Sequence, residues 1–174
     1  MRLVCAVALA LALFTPAPAW AQLSKETSEV TNVTRLVSAD MRPLVTESYP
    51  GHASFRAEYE MTSTDTTWGL SFYGFAKQST DMSTATEVQM QVDGQPISAR
   101  SVQSDTRSLD GSILEITHAT FDRSSYERMA TADRVVAVIE GNRFKLTGPV
   151  RKDLRLILDW VLENRGQDRR YSVE

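Results

Sequence analysis

The chain has 174 residues, with 19 Lys plus Arg against 22 Asp plus Glu, for a formal charge of −3. That balance leaves no electrostatic footprint for nucleic acid or an anionic membrane surface, so neither is an expected partner. The length fits one domain with one hydrophobic core, and no internal repeat or second domain boundary is legible in it.

Met1 and Arg2 precede an unbroken apolar run from Leu3 to Phe14, followed by Thr15-Pro16-Ala17-Pro18-Ala19-Trp20-Ala21. A positive start, an apolar stretch too short to span a bilayer and small residues at Ala19 and Ala21 predict a leader over 1–21, cleaved before Gln22. The expected location is the periplasm or the medium. Cys5, the single cysteine, lies inside the apolar run and would leave with it, so the mature chain is expected to hold no disulfide. Cys5 stands near the start of the run, whereas a lipoprotein cysteine would directly follow it, so no lipid anchor or membrane insertion is expected after cleavage. Without Arg2 the net charge becomes about −4. Asn32-Val33-Thr34 is a glycosylation acceptor only in a eukaryotic pathway. The Ala-Trp-Ala-Gln junction reads as bacterial, which makes that sequon a chance match.

Residues 22–50 are polar, with Val30, Val33, Leu36 and Val37 as apolar punctuation, and allow one edge strand near Thr31 to Ser38. The globular domain is expected over 51–166. After Ser48-Tyr49-Pro50-Gly51, Phe55, Ala57, Tyr59 and Met61 alternate with Arg56, Glu58, Glu60 and Thr62, the pattern of a half-buried strand. Trp68, Leu70, Phe72 and Ala76 define one face of the next strand, but Tyr73 and Phe75 make its other face apolar as well, so both sides require cover. Thr86 to Val92 alternates again and stops at Asp93-Gly94-Gln95-Pro96, with Ile97, Ala99 and Val102 predicted as its return. Asp110-Gly111 turns the chain into a strand over Ser112 to Thr120.

Asp122 suits the N-cap of a short bridging helix reaching about Ala132, with Tyr126, Met129 and Ala130 on its apolar side. Arg134 to Glu140 reads as a buried strand, with Gly141-Asn142 as a hairpin connection into Arg143 to Thr147. Gly148-Pro149 opens a second helix that Gly166 would end. Val150, Leu154, Ile157, Leu158, Val161 and Leu162 form its apolar stripe, and the Tyr73 and Phe75 side of the aromatic strand is a candidate partner. From Gln167 the tail is polar and expected to fray. The fold class is therefore mainly β: an antiparallel, sandwich-like domain of seven or eight strands with a short bridging helix and a C-terminal amphipathic helix packed on a sheet face.

Chemistry-bearing patterns are sparse. His52 and His118 are the two histidines, and without HExxH or a CxxC clip they predict no metal site; no GxGxxG or Walker A sequence predicts a nucleotide, so no cofactor is expected. No GxSxG elbow marks a nucleophilic serine, and no catalytic residue is assigned. Glu58 and Glu60, two apart on an alternating strand, read as a solvated polar face. Arg143, Lys145, Arg151, Lys152 and Arg155 could converge on an anion at the start of the last helix, although interleaved Asp153 and Asp159 favour a mixed-charge surface. The aromatic strand offers Trp68, Tyr73 and Phe75 as a platform for an apolar ligand or a partner protein.

The candidate binding residues are thus Trp68, Tyr73, Phe75, Arg143, Lys145 and Arg151. The leading expectation is an exported, non-enzymatic domain of the bacterial cell envelope that binds an envelope or secreted protein. Two alternatives are an envelope hydrolase with His52 or His118 as general base, and a carrier holding a small amphiphile between the sheet and the C-terminal helix.

Overall fold

Asp93-Gly94, Asp110-Gly111 and Glu140-Gly141 each pair a non-glycine residue at φ 49°, 37° or 46° with a glycine at φ 81°, 82° or 78°. Two consecutive left-handed residues make the type I′ turn whose twist matches that of antiparallel strands. The last of these turns sits one residue earlier than the predicted Gly141-Asn142, because Ile139 faces Asn142 directly across the ladder. In the computed structural model, described over residues 23–28 and 33–164, these turns organise two packed antiparallel sheets. The predicted leader, the helix end at Gly166 and the polar tail lie outside those residues.

Hairpins alternate between the sheets along the chain. Strands β1 (Leu23–Ser28), β2 (Val33–Ser38), β3 (Arg42–Pro43), β5 (His52–Met61), β6 (Thr66–Ala76), β9 (Ser101–Leu109) and β10 (Ser112–Phe121) build a seven-stranded sheet. It runs β1-β2-β5-β6-β10-β9, with β3 also paired to β5. Strands β4 (Val45–Thr46), β7 (Val88–Val92), β8 (Gln95–Ser98), β11 (Val135–Ile139) and β12 (Asn142–Leu146) build a five-stranded sheet in the order β4-β12-β11-β7-β8. Helix α1 (Arg123–Thr131) bridges β10 to β11, and helix α2 (Gly148–Asn164) follows β12.

The mainly β class with two helices holds; among the described residues the strand number rises to twelve. The predicted return strand through Ile97 and Val102 is two strands in different sheets, since Ala99 N–H still bonds to Val88 of β7 while Arg100 N–H bonds to Thr120 of β10. The segment near Thr31 to Ser38 is not an edge: β1 pairs along all of β2 and takes that position.

Phe55, Leu70 and Phe72 from one sheet meet Met90, Ile139 and Phe144 from the other, and all six are fully buried. Phe72 lies 5.6 Å from Phe55 and 6.3 Å from Phe144 between ring centroids. Asp122 caps α1 as predicted, its carboxylate accepting from Ser125 N–H at 2.7 Å. The stripe of α2 is buried through Val150, Leu154, Ile157 and Val161, against α1, β2 and β5. This is the inner face, the one carrying Phe55 and Tyr59. The expected cover over Tyr73 and Phe75 is therefore not α2, whose length is spent where the smaller sheet leaves the inner face open. Asp153, fully buried on α2, anchors that packing through a two-pronged bond from Arg42 of β3, at 2.9 and 3.2 Å.

Candidate functional site

Ladder pairing fixes what shares the outer face of the seven-stranded sheet. His52, Phe75, Leu114 and Arg107 form one row across β5, β6, β10 and β9; Ser54, Tyr73, Ile116 and Asp105 form the next. Then come Arg56, Ser71, His118 and Gln103, and after them Glu58, Gly69, Thr120 and Ser101. The five-stranded sheet and both helices lie on the opposite side. Tyr73, Phe75, Leu114 and Ile116 consequently make a contiguous, half-exposed apolar patch in the middle of an outer sheet face. Its Phe75 end opens into a cleft of about 600 Å3 lined by Pro50, Gly51, His52, Lys77, Thr80 and Ser112.

Next to the patch the chemistry changes. Glu58 is 5% exposed, which overturns the reading of Glu58 and Glu60 as one solvated face; only Glu60 is exposed. Arg35 reaches from β2 to Glu58 Oε2 at 2.5 Å, and the Ser71 hydroxyl donates to Oε1 at 2.5 Å. Bonding to Glu58 raises the Arg35 guanidinium above its ordinary value, with nearby Glu26 and Glu60 acting in the same direction. Ser71 Oγ also lies 3.0 Å from His118 Nδ1.

A hydroxyl has one proton, and here Glu58 takes it. Ser71 Oγ therefore faces His118 as an acceptor, which places a ring hydrogen on Nδ1, 4.0 Å from Glu58 Oε2, and Nε2 is left without a hydrogen-bond partner among the described residues. The ring lies over Gly69: a Cβ there would stand 2.7 Å from His118 Cε1. Glycine at this position of a central strand is what admits the imidazole. Arg35, Glu58, Glu60, Thr67, Gly69 and His118 enclose a pocket of about 210 Å3.

These are the elements of a Ser-His-Glu set in the wrong order for acyl transfer. Ser71 is 3% exposed and its proton is directed at the carboxylate, so it is not poised as a nucleophile. Gly69 and Ser71 belong to a strand flanked by β5 and β10, whose backbone groups serve the two ladders and make no oxyanion hole. The arrangement fixes the orientation of the His118 ring.

A second buried carboxylate is structural. Glu115, on the inner face of β10, is fully buried and accepts from Tyr49 Oη at 2.8 Å, Thr80 N–H at 2.6 Å and Thr80 Oγ1 at 2.8 Å. Those bonds staple the segment leading into the 3-10 turn Asp81–Thr84. Burial, then the bond to Glu115, raises the Tyr49 phenol well above its ordinary value.

The remaining predicted residues separate. Trp68 points into the core, 3% exposed, with ring centroids 4.7 Å from Tyr59 and 4.9 Å from Tyr126, on the face opposite Tyr73 and Phe75. Arg143 bonds to Glu47 at 3.1 Å and to Gln91 at 3.1 Å, while Lys145 is exposed two residues along β12. Arg151 donates to the Asp133 carbonyl and Arg155 to the Ala130 carbonyl at 2.5 Å, satisfying the end of α1. Arg143, Arg151 and Arg155 thus have separate partners within the fold. His52 is exposed at the rim of the larger cleft. Between the sheet and α2, Leu36, Tyr126, Leu154 and Ile157 fill the space that an amphiphile would need. Among the described residues, no group of three or more His, Cys, Asp or Glu is placed to hold a metal ion.

Arg35, Gly69 and Ser71 are not among the candidate residues read from the sequence, and Glu58 enters there only as part of a solvated strand face. Their one local sign is the pair of small residues, Gly69 and Ser71, on the side of an aromatic strand where bulk was expected. Comparison with known proteins supplies no further assignment: no protein-family model, no curated protein and no solved structure matches the chain.

Proposed function

We propose that this is an exported, non-enzymatic binding domain of the cell envelope, and that its partner is a protein seated on the outer face of the seven-stranded sheet. The observation that carries the reading is the half-exposed cluster of Tyr73, Phe75, Leu114 and Ile116 on a face where an antiparallel sheet ordinarily shows polar side chains to water. Aromatic anchors beside aliphatic ones, bordered by polar residues, have the composition of an interface centre and its rim. Export rests on the leader expected over 1–21.

The test places charge on the patch. On size-exclusion of gently lysed host cells the wild type is expected to elute as a complex, and Tyr73→Glu and Ile116→Glu are each expected to elute as the free protein. Gln89→Glu, on the outer face of the five-stranded sheet, is expected to preserve it. An unchanged elution volume for both patch variants contradicts the proposal. N-terminal sequencing of the purified protein checks export, with Gln22 as the expected first residue.

A further inference from the structure

The patch and the His118 pocket are contiguous on one sheet face, Tyr73 and Ile116 standing one row from Ser71 and His118. We infer that the pocket beside the patch is a subsite for a primary ammonium group, the lysine side chain of the protein partner. This inference rests on the proposed binding face and specifies what the partner presents to it.

Three properties of the pocket select that chemistry. The groups it leaves open include acceptors: the exposed Glu60 carboxylate, the Thr67 hydroxyl, and His118 Nε2 when the ring carries its single proton on Nδ1, facing Ser71. A lysine ammonium offers three donors and no acceptor, which suits such a set. The local charge is also negative. Arg35 is committed to Glu58, and Glu26 and Glu60 lie near it. Arg56, across the ladder from Ser71, donates to the Ala39 carbonyl at 3.5 Å and keeps a buried Nε without a partner among the described residues, but it does not line the pocket; Ser71 binds the carboxylate without adding charge. A carboxylate or phosphate ligand would meet the Glu60 carboxylate, with the lining arginine, Arg35, already paired to Glu58.

The size agrees. A pocket of about 210 Å3 holds the volume of roughly seven liquid waters, suited to an ammonium and the adjoining methylenes. The walls are also built for the purpose: Gly69 lacks the side chain that would displace the imidazole, and two buried groups, Ser71 and Glu58, are spent on fixing its orientation.

Titrate the 15N-labelled protein with Nα-acetyl-lysine-N-methylamide, and separately with Nα-acetyl-norleucine-N-methylamide, which keeps the alkyl chain and lacks the ammonium. Saturable changes at the His118 ring nitrogens and at the Gly69 and Thr67 amides are expected with the lysine probe alone. His118→Ala should weaken it about tenfold or more, the scale of a lost charge-assisted hydrogen bond. Glu60→Gln, at an exposed position that leaves folding unaffected, should weaken it about two- to fivefold.

Equal responses to both probes, no response at His118, or undiminished binding in Glu60→Gln overturns the inference. The proposed binding face has its own readout in Tyr73→Glu. Loss of the native complex in that variant together with a silent lysine titration would leave the face standing and remove the ammonium subsite.

Discussion

Gly74 lies against Tyr49: a Cβ at position 74 would stand 2.3 Å from the phenol oxygen and 2.7 Å from Cζ. Its strand neighbour Gly69 has the same relation to His118 on the opposite face, and the two glycines serve different ends. One gives room to a buried structural bond, the other to a solvent-facing ring. Gly74→Ala is expected to force Tyr49 off Glu115 and destabilise the protein by about 3 kcal/mol, the scale of overpacking plus a buried bond lost. Gly69→Ala should cost about 1 kcal/mol or less, since the ring it displaces can move outward. Urea denaturation of the two variants checks the contrast.

Glu115 gathers its donors with no cation among them. Glu115→Ala strands the Tyr49 hydroxyl and the Thr80 N–H and is expected to cost about 3–5 kcal/mol. Hydrogen exchange should show the loss centred on Thr80 and the following 3-10 turn. Protection there equal to wild type would contradict the stapling role.

Tyr126 supplies the opposite case. Its ring is fully buried against Trp68, yet its hydroxyl has no hydrogen-bond partner among the described residues, and burial followed by the nearby charges of Asp153 and Glu58 raises its pKa well above the ordinary phenol value. Tyr126→Phe removes an unsatisfied polar atom and keeps the packing. The expected result is unchanged stability or a gain of about 1 kcal/mol, read from the thermal midpoint.

The α1 cap gives a pH-dependent prediction. Bonds from Ser125 N–H and the Ser124 hydroxyl hold the Asp122 carboxyl below its ordinary value of 3.8. A carboxyl depressed in the folded state stabilises above its unfolded pKa, and that contribution is lost as pH falls through the folded one. Asp122→Asn should therefore flatten the acid limb of the stability profile between pH 3.8 and lower values while keeping a cap at neutral pH. Asp122→Ala should cost about 1 kcal/mol at neutral pH and progressively less in acid.

Local rules carried much of the fold. Asp93-Gly94 and Asp110-Gly111 announced their hairpins, Asp122 announced α1, and the spacing of Val150, Leu154, Ile157 and Val161 announced α2. Strand β9 escaped because Ser101–Leu109 is an edge with little to bury: its alternation never becomes apolar against polar. The site was less legible. Alternation puts Glu58 correctly on the polar face of β5, but what removes it from water is Arg35, which lies 23 residues away, and Ser71, which lies 13 away. Those contacts depend on register, which no single strand's sequence specifies. Tyr73 and Phe75 were legible as apolar on a second face; which element covers that face depended on where α2 finds space, and it finds it on the other side.

Site-specific photocrosslinking tests the central claim most directly. A photoreactive phenylalanine analogue at position 73, in the middle of the outer face, is expected to give one discrete, heavier adduct in intact host cells. The same analogue at position 89 of the five-stranded sheet is expected to give none. Absence of an adduct at 73, or the same adduct from both positions, would contradict a binding surface built on Tyr73, Phe75, Leu114 and Ile116.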